Sequence, residues 1–205
     1  METFSCYHQY IATALAREMN AYFEHSEYMK RRFQQRDTRG NPPVYTKPDR
    51  MKTEELRLKI ILLTANYIEA LANNYLSVKL AAREFEAIEQ VEILKKWTAL
   101  PGVFLPEYNF PKDEAMYDAL KMLIGQRNTI VHMKPRIMLN GEVLKKGSPS
   151  KRFNIHKYIE KWDLLPLHLI EHLGKYDSSH EYMKFRALTF IDDYSEIRGG
   201  QEPIL

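Results

Sequence analysis

An arginine, an asparagine and a histidine stand close together near the end of a predicted helix. They are Arg127, Asn128 and His132, and they are followed by Pro135, which cannot continue a helix. A guanidinium is a fixed cation, an amide donates and accepts hydrogen bonds, and an imidazole titrates near neutral pH. Groups of these types can bind a phosphate and move a proton beside it. The plainer interpretation is a surface arginine and a histidine packed at a helix end.

The spacing of the three residues sets a condition on any shared site. At ~100° per residue, Asn128 and His132 lie on one face of a helix, whereas Arg127 lies ~140° away from His132. The long arginine side chain must therefore wrap around the helix, or a second subunit must bring its own groups across a two-fold axis. We expect a cleft, built by two subunits.

The helix that positions these groups is predicted from Asp113 to Met133. Gly125 inside it costs about 1 kcal/mol relative to alanine, which indicates close packing against another backbone. The apolar residues of this helix are Met116, Leu120, Leu123, Ile124, Ile130 and Val131.

Apolar periodicity predicts five further helices. A hairpin is also predicted, because Arg136 to Leu139 and Glu142 to Lys145 flank Asn140-Gly141, the sequence of a type I′ turn. The fold class is therefore an all-α bundle of about six helices with one small β-hairpin. The five helices are predicted at Ser5 to Gln35, Lys52 to Leu80, Ala81 to Trp97, Ile155 to Leu173 with a bend at Pro166, and Ser179 to Arg198.

The chain of 205 residues is interpreted as one domain. Hydrophobic residues make up 44% and charged residues 28%, which is the balance of an ordinary globular protein. Helix-breaking residues crowd Arg39 to Pro48. A boundary is therefore predicted there, between an N-terminal helical arm, about residues 1–40, and the main bundle, about residues 51–198.

A polar stripe interrupts the second predicted helix. Asn66, Glu69 and Asn73 recur at spacings of three and four residues. Since buried polar groups need partners, Glu69 and the two asparagines are candidates to support a buried Arg127. The alternative is a solvated edge of the helix.

Basic residues are unevenly placed, although the net charge is only +3 and the isoelectric point is about 8.8. They crowd residues 30–39 and 134–161. Segregated positive charge favours a polyanion partner, although a charge run is also typical of a solvated face. Six of these residues follow the Arg-Asn-His group and are predicted to track an RNA backbone: Lys134, Arg136, Lys145, Lys146, Lys151 and Arg152.

The pattern Arg-Asn-x-x-x-His near the end of an apolar helix resembles the HEPN superfamily (higher eukaryotes and prokaryotes nucleotide-binding domains). That family's signature is an arginine, four to six residues and a histidine, commonly with a polar residue directly after the arginine. Arg127, Asn128 and His132 match it one by one. The resemblance also covers the helical organisation from about Lys52 to Tyr194. Where some members carry a tyrosine two residues after the histidine, this chain has Lys134.

The resemblance implies a metal-independent endoribonuclease that acts as a homodimer without a cofactor. His132 would be a general base or acid near the ribose 2′-hydroxyl and the leaving oxygen, and Arg127 would hold the phosphate. Asn128 would orient the phosphate or the imidazole, and the product would be a 2′,3′-cyclic phosphate. RNA as partner, a toxin or defence role and a cognate antitoxin or inhibitor protein also follow from the resemblance. Other members are non-catalytic modules that bind nucleotides, nucleic acids or proteins.

A rival motif lies in the helix predicted at Ile155 to Leu173. His168, Glu171 and His172 form His-x-x-Glu-His, with both histidines on one helical face, as in inverted zincins. This pattern indicates a zinc-dependent hydrolase as a third hypothesis. Its alternative is a pair of histidines on a helix surface. The later glutamates fit a third zinc ligand poorly; they are Glu181, Glu196 and Glu202.

The sequence predicts a cytoplasmic protein without a membrane segment. Cys6 is the only cysteine, which excludes an intramolecular disulfide and a thiolate cluster. The first residues lack the pattern of a signal peptide. The most apolar segment, Ile60 to Leu76, is interrupted by Asn66, Glu69, Asn73 and Asn74.

Overall fold

Six α-helices make up most of the chain that the structure, a computed structural model, describes. The described residues are 3–35, 40, 44, 46–112, 114–132, 138–139, 142–143 and 164–178. The predicted all-α class is confirmed for these residues. The helices are α1 (Thr3–Gln34), α2 (Lys47–Lys79), α3 (Ala82–Ile88), α4 (Ile93–Thr98), α5 (Ala115–Val131) and α6 (Leu165–Gly174), and a 3-10 helix covers Leu100–Val103.

The start of α2 is set by a side-chain cap. The helix begins at Lys47 rather than at the predicted Lys52, because the Thr46 hydroxyl accepts the Asp49 backbone N–H while the Asp49 carboxylate accepts the Thr46 N–H at 3.0 Å. Pro48 fits this first turn, where no intrahelical N–H bond is lost. Arg32 at the end of α1 donates to the same carboxylate at 2.6 Å. The Thr46 hydroxyl, assisted by the charge of Arg32, holds the pKa of Asp49 below its usual range.

The prediction of one continuous helix from Ala81 to Trp97 is wrong. Two short helices, α3 and α4, occupy this range, and the chain between them is not helical. The Val91 N–H turns back to the Ile88 carbonyl at 3.0 Å. The Glu89 carbonyl accepts a hydrogen bond from the Lys96 ammonium at 2.6 Å, in place of the backbone N–H that a continuous helix would offer it. Trp97 then donates its indole N–H to the Ile68 carbonyl of α2 at 3.2 Å, which fixes α4 against α2.

Pro166 stands in the first turn of α6, so it begins a helix instead of bending one. The predicted residues Ile155 to Asp163 and the predicted helix at Ser179 to Arg198 lie outside the described residues.

Two short strands, β1 (Met138–Leu139) and β2 (Glu142–Val143), pair antiparallel with Met138 opposite Val143. The predicted Asn140-Gly141 turn and the predicted ends of the hairpin at Arg136 and Lys145 lie outside the described residues. The type I′ turn therefore stays a prediction.

The hydrophobic core is built around α2, which packs against α1, α4, α5 and α6. The predicted N-terminal arm, as α1, has its largest helix interface with α2 and contributes Leu15 and Met19 to the common buried cluster. In the part of the chain that the structure describes, no helix has the length and apolarity to cross a membrane. Other fully buried members of the cluster are Leu56, Ile60, Ile68, Leu71, Leu120, Leu123, Leu169 and Ile170.

Candidate functional site

A cleft of about 550 Å³ opens beside the second half of α5. One wall is α5, and the opposite wall is formed by α2, the turn between α3 and α4, and the start of α4. Arg127, Asn128 and His132 all line it. The cleft therefore gathers, within one chain, the three groups that the sequence singles out.

The contact between Arg127 and Asn128 explains how residues on different faces reach one cleft. The Arg127 guanidinium folds toward its neighbour, and Nη1 donates to Asn128 Oδ1 at 3.0 Å. His132 ends α5, and its backbone N–H donates to the Asn128 carbonyl at 2.9 Å. Arg127 is half-buried, whereas Asn128 and His132 are exposed. The arginine wraps around the helix as the spacing requires, and His132 stays open to solvent.

One nitrogen of Arg127 is left without a partner. The Nε atom is buried and makes no hydrogen bond to any residue that the structure describes. A buried donor without an acceptor costs about 1–3 kcal/mol. An acceptor that reached this nitrogen would recover that cost.

The three residues of the predicted polar stripe have different surroundings. Glu69 lines the cleft, but Asn66 is exposed away from it, and Asn73 is half-buried with an Oδ1 atom that bonds to none of the described residues. The expected contact between Glu69 and Arg127 is absent. The Glu69 carboxylate instead accepts a hydrogen bond from Lys96 at 3.4 Å.

Lys96 is the residue that the sequence interpretation missed. Its side chain is 0% exposed, and Nζ donates to the Glu69 carboxylate and to the Glu89 main-chain carbonyl. The available signal is its place on α4, since Lys96 lies three residues after Ile93 and beside Trp97, both of which are buried. A lysine at a core position of a short helix indicates a buried partner.

The two walls of the cleft differ in charge. The wall formed by α5 presents Lys121 and Arg127, whereas the opposite wall presents Glu69, Glu89 and Glu92. This arrangement suits a ligand with an anionic group on one side and hydrogen-bond donors on the other. The exposed imidazole of His132 stands at the cationic wall.

Gly125 is exposed on the cleft side of α5, and a Cβ added there would meet nothing within 4 Å. The prediction that Gly125 packs closely against another backbone is therefore wrong for the described residues of a single chain. The reason is that α5 packs into the core through Ala119, Leu120 and Leu123, while Gly125 faces outward.

The six predicted RNA-binding residues follow α5 in the chain but lie outside the described residues. They are Lys134, Arg136, Lys145, Lys146, Lys151 and Arg152.

The rival histidine motif is on α6. His172 is buried, and its Nε2 lies 3.1 Å from the main-chain carbonyl of Asn109. The rings of Tyr108, Phe110 and Tyr176 stand edge-on to its imidazole at centroid distances of 5.7, 5.1 and 5.5 Å. Burial, followed by the nearby charge of Lys175, lowers the pKa of His172. His172 therefore acts as a neutral packing residue that joins α6 to the loop before α5.

His168 is half-buried and Glu171 is exposed on the same helix. No group of three or more His, Cys, Asp or Glu side chains could hold a metal ion within the described ranges.

No protein-family model matches the chain, and no curated protein and no solved structure matches it either. The functional argument therefore depends on the geometry of the cleft.

Proposed function

We propose that this chain is an HEPN-like, metal-independent endoribonuclease whose active site is the cleft beside α5. The observation that supports this most directly is the meeting of Arg127, Asn128 and His132 in one cleft, although the helical spacing separates Arg127 from the other two. Among the described residues the buried Nε of Arg127 has no acceptor, and in this proposal a phosphate oxygen supplies one.

The proposed reaction uses the chemistry of these three groups. His132 removes the proton of the ribose 2′-hydroxyl, and the 2′-oxygen forms a bond to phosphorus. Arg127 binds the phosphate oxygens and the charge that develops on them, and Asn128 orients the guanidinium through its 3.0 Å hydrogen bond. The bond from phosphorus to the 5′-oxygen breaks, and this oxygen takes a proton from a general acid. The products are a 2′,3′-cyclic phosphate and a 5′-hydroxyl.

One histidine cannot be base and acid in the same instant, so we propose a homodimer in which two cleft faces meet and each protomer supplies one His132. The outward face of α5 supports this arrangement. Gly125 lies at its centre with open space around it, and Met122 is exposed nearby, so a second backbone can approach closely.

We further propose that the basic segment after α5 guides the RNA strand to the cleft. The chain leaves the cleft at His132 and reaches the charged residues at once, starting at Lys134 and Arg136. In this proposal they contact the RNA backbone together with Lys145, Lys146, Lys151, Arg152 and the small hairpin. A cytoplasmic toxin or defence protein, covered at the cleft by an antitoxin or inhibitor, is the setting that this activity would fit.

The test is an RNA cleavage assay with purified protein, with and without EDTA. We expect cleavage of structured RNA that EDTA does not change and that Arg127→Ala and His132→Ala both remove. Two matched controls, Arg83→Ala on the exposed surface of α3 and His168→Ala on α6, should cleave as the unchanged protein does.

Intact RNA with the unchanged protein would overturn the proposal and favour a non-catalytic binding module. Cleavage that EDTA and His168→Ala both abolish would favour a zinc-dependent hydrolase.

A further inference from the structure

Glu69, which lines the cleft, pairs with a fully buried cation. The Lys96 side chain is 0% exposed, and its ammonium bonds to the Glu69 carboxylate of α2 and to the main-chain carbonyl of Glu89. A buried ammonium is costly unless its hydrogen bonds and charge are matched. Lys96 therefore requires Glu69 at this place and ties α2 to the turn between α3 and α4.

The Glu69 carboxylate can accept further hydrogen bonds. Among the described residues it is bonded to Lys96 through its Oε1 atom alone, and the Glu69 side chain remains 29% exposed. An ionised carboxylate accepts up to about four hydrogen bonds and donates none. Glu69 thus presents a fixed acceptor to any ligand in the cleft.

Arg127 presents the complementary donor across the cleft. Both residues line the same space, yet among the described residues Glu69 pairs with Lys96 and not with Arg127. A ligand group therefore has room between the guanidinium and the carboxylate. The carboxylate repels an anion, so the anionic part of such a ligand lies against α5 and a donor group lies against α2.

We propose that Glu69, held in place by Lys96, accepts a hydrogen bond from a ligand hydroxyl that neighbours the anionic group bound by Arg127. In a nucleic acid this pair of groups is a phosphate and the ribose 2′-hydroxyl of the nucleotide that follows it, which deoxyribose lacks. The 2′-hydroxyl of the nucleotide that precedes the phosphate is the one that gives its proton to His132. Glu69 is then the residue by which the cleft prefers RNA to DNA, and Lys96 is its positioning residue. This inference rests on the proposed function, because it assumes that a nucleic acid strand enters the cleft.

The test compares binding of two fluorescein-labelled single strands of the same sequence, one with ribose and one with deoxyribose, by fluorescence anisotropy in EDTA. The His132→Ala protein is used so that the ribose strand stays intact. We expect the ribose strand to bind about tenfold more tightly, which is the size of one charge-assisted hydrogen bond. Adding Glu69→Ala should weaken binding of the ribose strand only and so remove the preference. Adding Glu24→Ala, an exposed glutamate on α1, should preserve it.

Lys96→Met tests the positioning role, with Lys52→Met, an exposed lysine on α2, as its control. We expect Lys96→Met to reduce the preference for ribose and Glu69→Gln, which retains an acceptor, to keep part of it. Thermal unfolding checks that each variant is folded, and the double variant Glu69→Leu with Lys96→Met, which removes both members of the buried pair, decides the matter if a single variant does not fold.

Three results would contradict the inference. Equal affinity for the two strands overturns it but leaves the proposed ribonuclease intact. A preference that survives Glu69→Ala assigns recognition to another residue and overturns it as well. Binding of neither strand overturns both the inference and the proposed function.

Discussion

His132 and His172 each belong to a short motif that suggests catalysis, but their surroundings in the structure differ. His172 is buried, its Nε2 atom faces the carbonyl of Asn109, and aromatic rings surround its imidazole, so the fold accounts for its place. His132 is exposed at a cleft beside an arginine whose Nε is buried and unpaired among the described residues. Groups with satisfied contacts stabilise a fold, whereas groups with unsatisfied contacts at a cleft are available to a ligand.

The largest expected effect is on the proposed activity at the cleft. His132→Ala should lower the RNA cleavage rate by a factor of about 10²–10⁴, the range for a general acid or base. The free energy of unfolding should change by less than about 0.5 kcal/mol, because the side chain is exposed. Single-turnover cleavage and urea unfolding measure the two quantities. Unchanged cleavage would remove the distinction between the two histidines.

His172→Ala should have the opposite pattern. It opens a cavity among Tyr108, Phe110 and Tyr176 and removes the contact with Asn109. We expect a loss of about 2–3 kcal/mol in the free energy of unfolding, with the cleavage rate of the folded protein unchanged. Urea unfolding checks the first part, and an assay well below the unfolding midpoint checks the second. A stable variant with lost activity would place His172 in a functional site.

The pH dependence of stability sharpens the same comparison. The pKa of His172 in the folded protein lies below the ordinary value of 6.5. As the pH falls below 6.5, the unfolded chain binds a proton that the folded protein does not, so the free energy of unfolding decreases. The decrease ends once the pH is below the lowered pKa of the folded protein. Above pH 6.5 this histidine makes the free energy of unfolding neither larger nor smaller. We expect His172→Gln to remove this decrease in urea unfolding measured at about pH 7.5 and 5.5. The pKa of Asp49 is lowered from 3.8, so this carboxylate affects the free energy of unfolding only in a separate pH range below that value. An identical decrease in the variant would contradict the assignment to His172.

The smallest effect is expected at Gly125. Because a Cβ there meets nothing within 4 Å, Gly125→Ala should stabilise the isolated chain by about 0.5–1 kcal/mol through helix propensity. If two protomers approach at this position, the same change should weaken their association. Urea unfolding at low concentration and sedimentation over a range of concentrations separate the two effects. If Gly125→Ala stabilises the chain but leaves the association of the two protomers unchanged, the proposed dimer contact does not lie at Gly125.

Periodicity was sufficient to predict the long helices, because α1, α2 and α5 each bury a regular apolar face. The start of α2 was predicted too late, at Lys52, although Thr46 and Asp49 have the spacing of a capping box and Pro48 suits a first turn. The break between α3 and α4 could not be predicted from the sequence, because it depends on a hydrogen bond from the Lys96 ammonium to the Glu89 carbonyl. That contact exists only once α4 is packed against α2.

The candidate site was predictable in its residue types and less so in its geometry. The sequence identified Arg127, Asn128 and His132, but the path of the arginine side chain depends on its contact with Asn128. Glu69 lines the same cleft as Arg127, but it pairs with Lys96, which only the packed structure brings beside it. The role of His172 likewise depends on Asn109, a residue of a distant loop that no local pattern connects to α6.

The central claim is that the cleft beside α5 cleaves RNA through Arg127 and His132 without a metal. The most direct measurement is the chemistry of the product ends after incubation of RNA with the purified protein in EDTA, resolved by ³¹P NMR. We expect a 2′,3′-cyclic phosphate with the unchanged protein and with His168→Ala, and none with Arg127→Ala or His132→Ala. A cyclic phosphate that persists in the His132→Ala variant, or product ends that carry a 3′-hydroxyl, would contradict it.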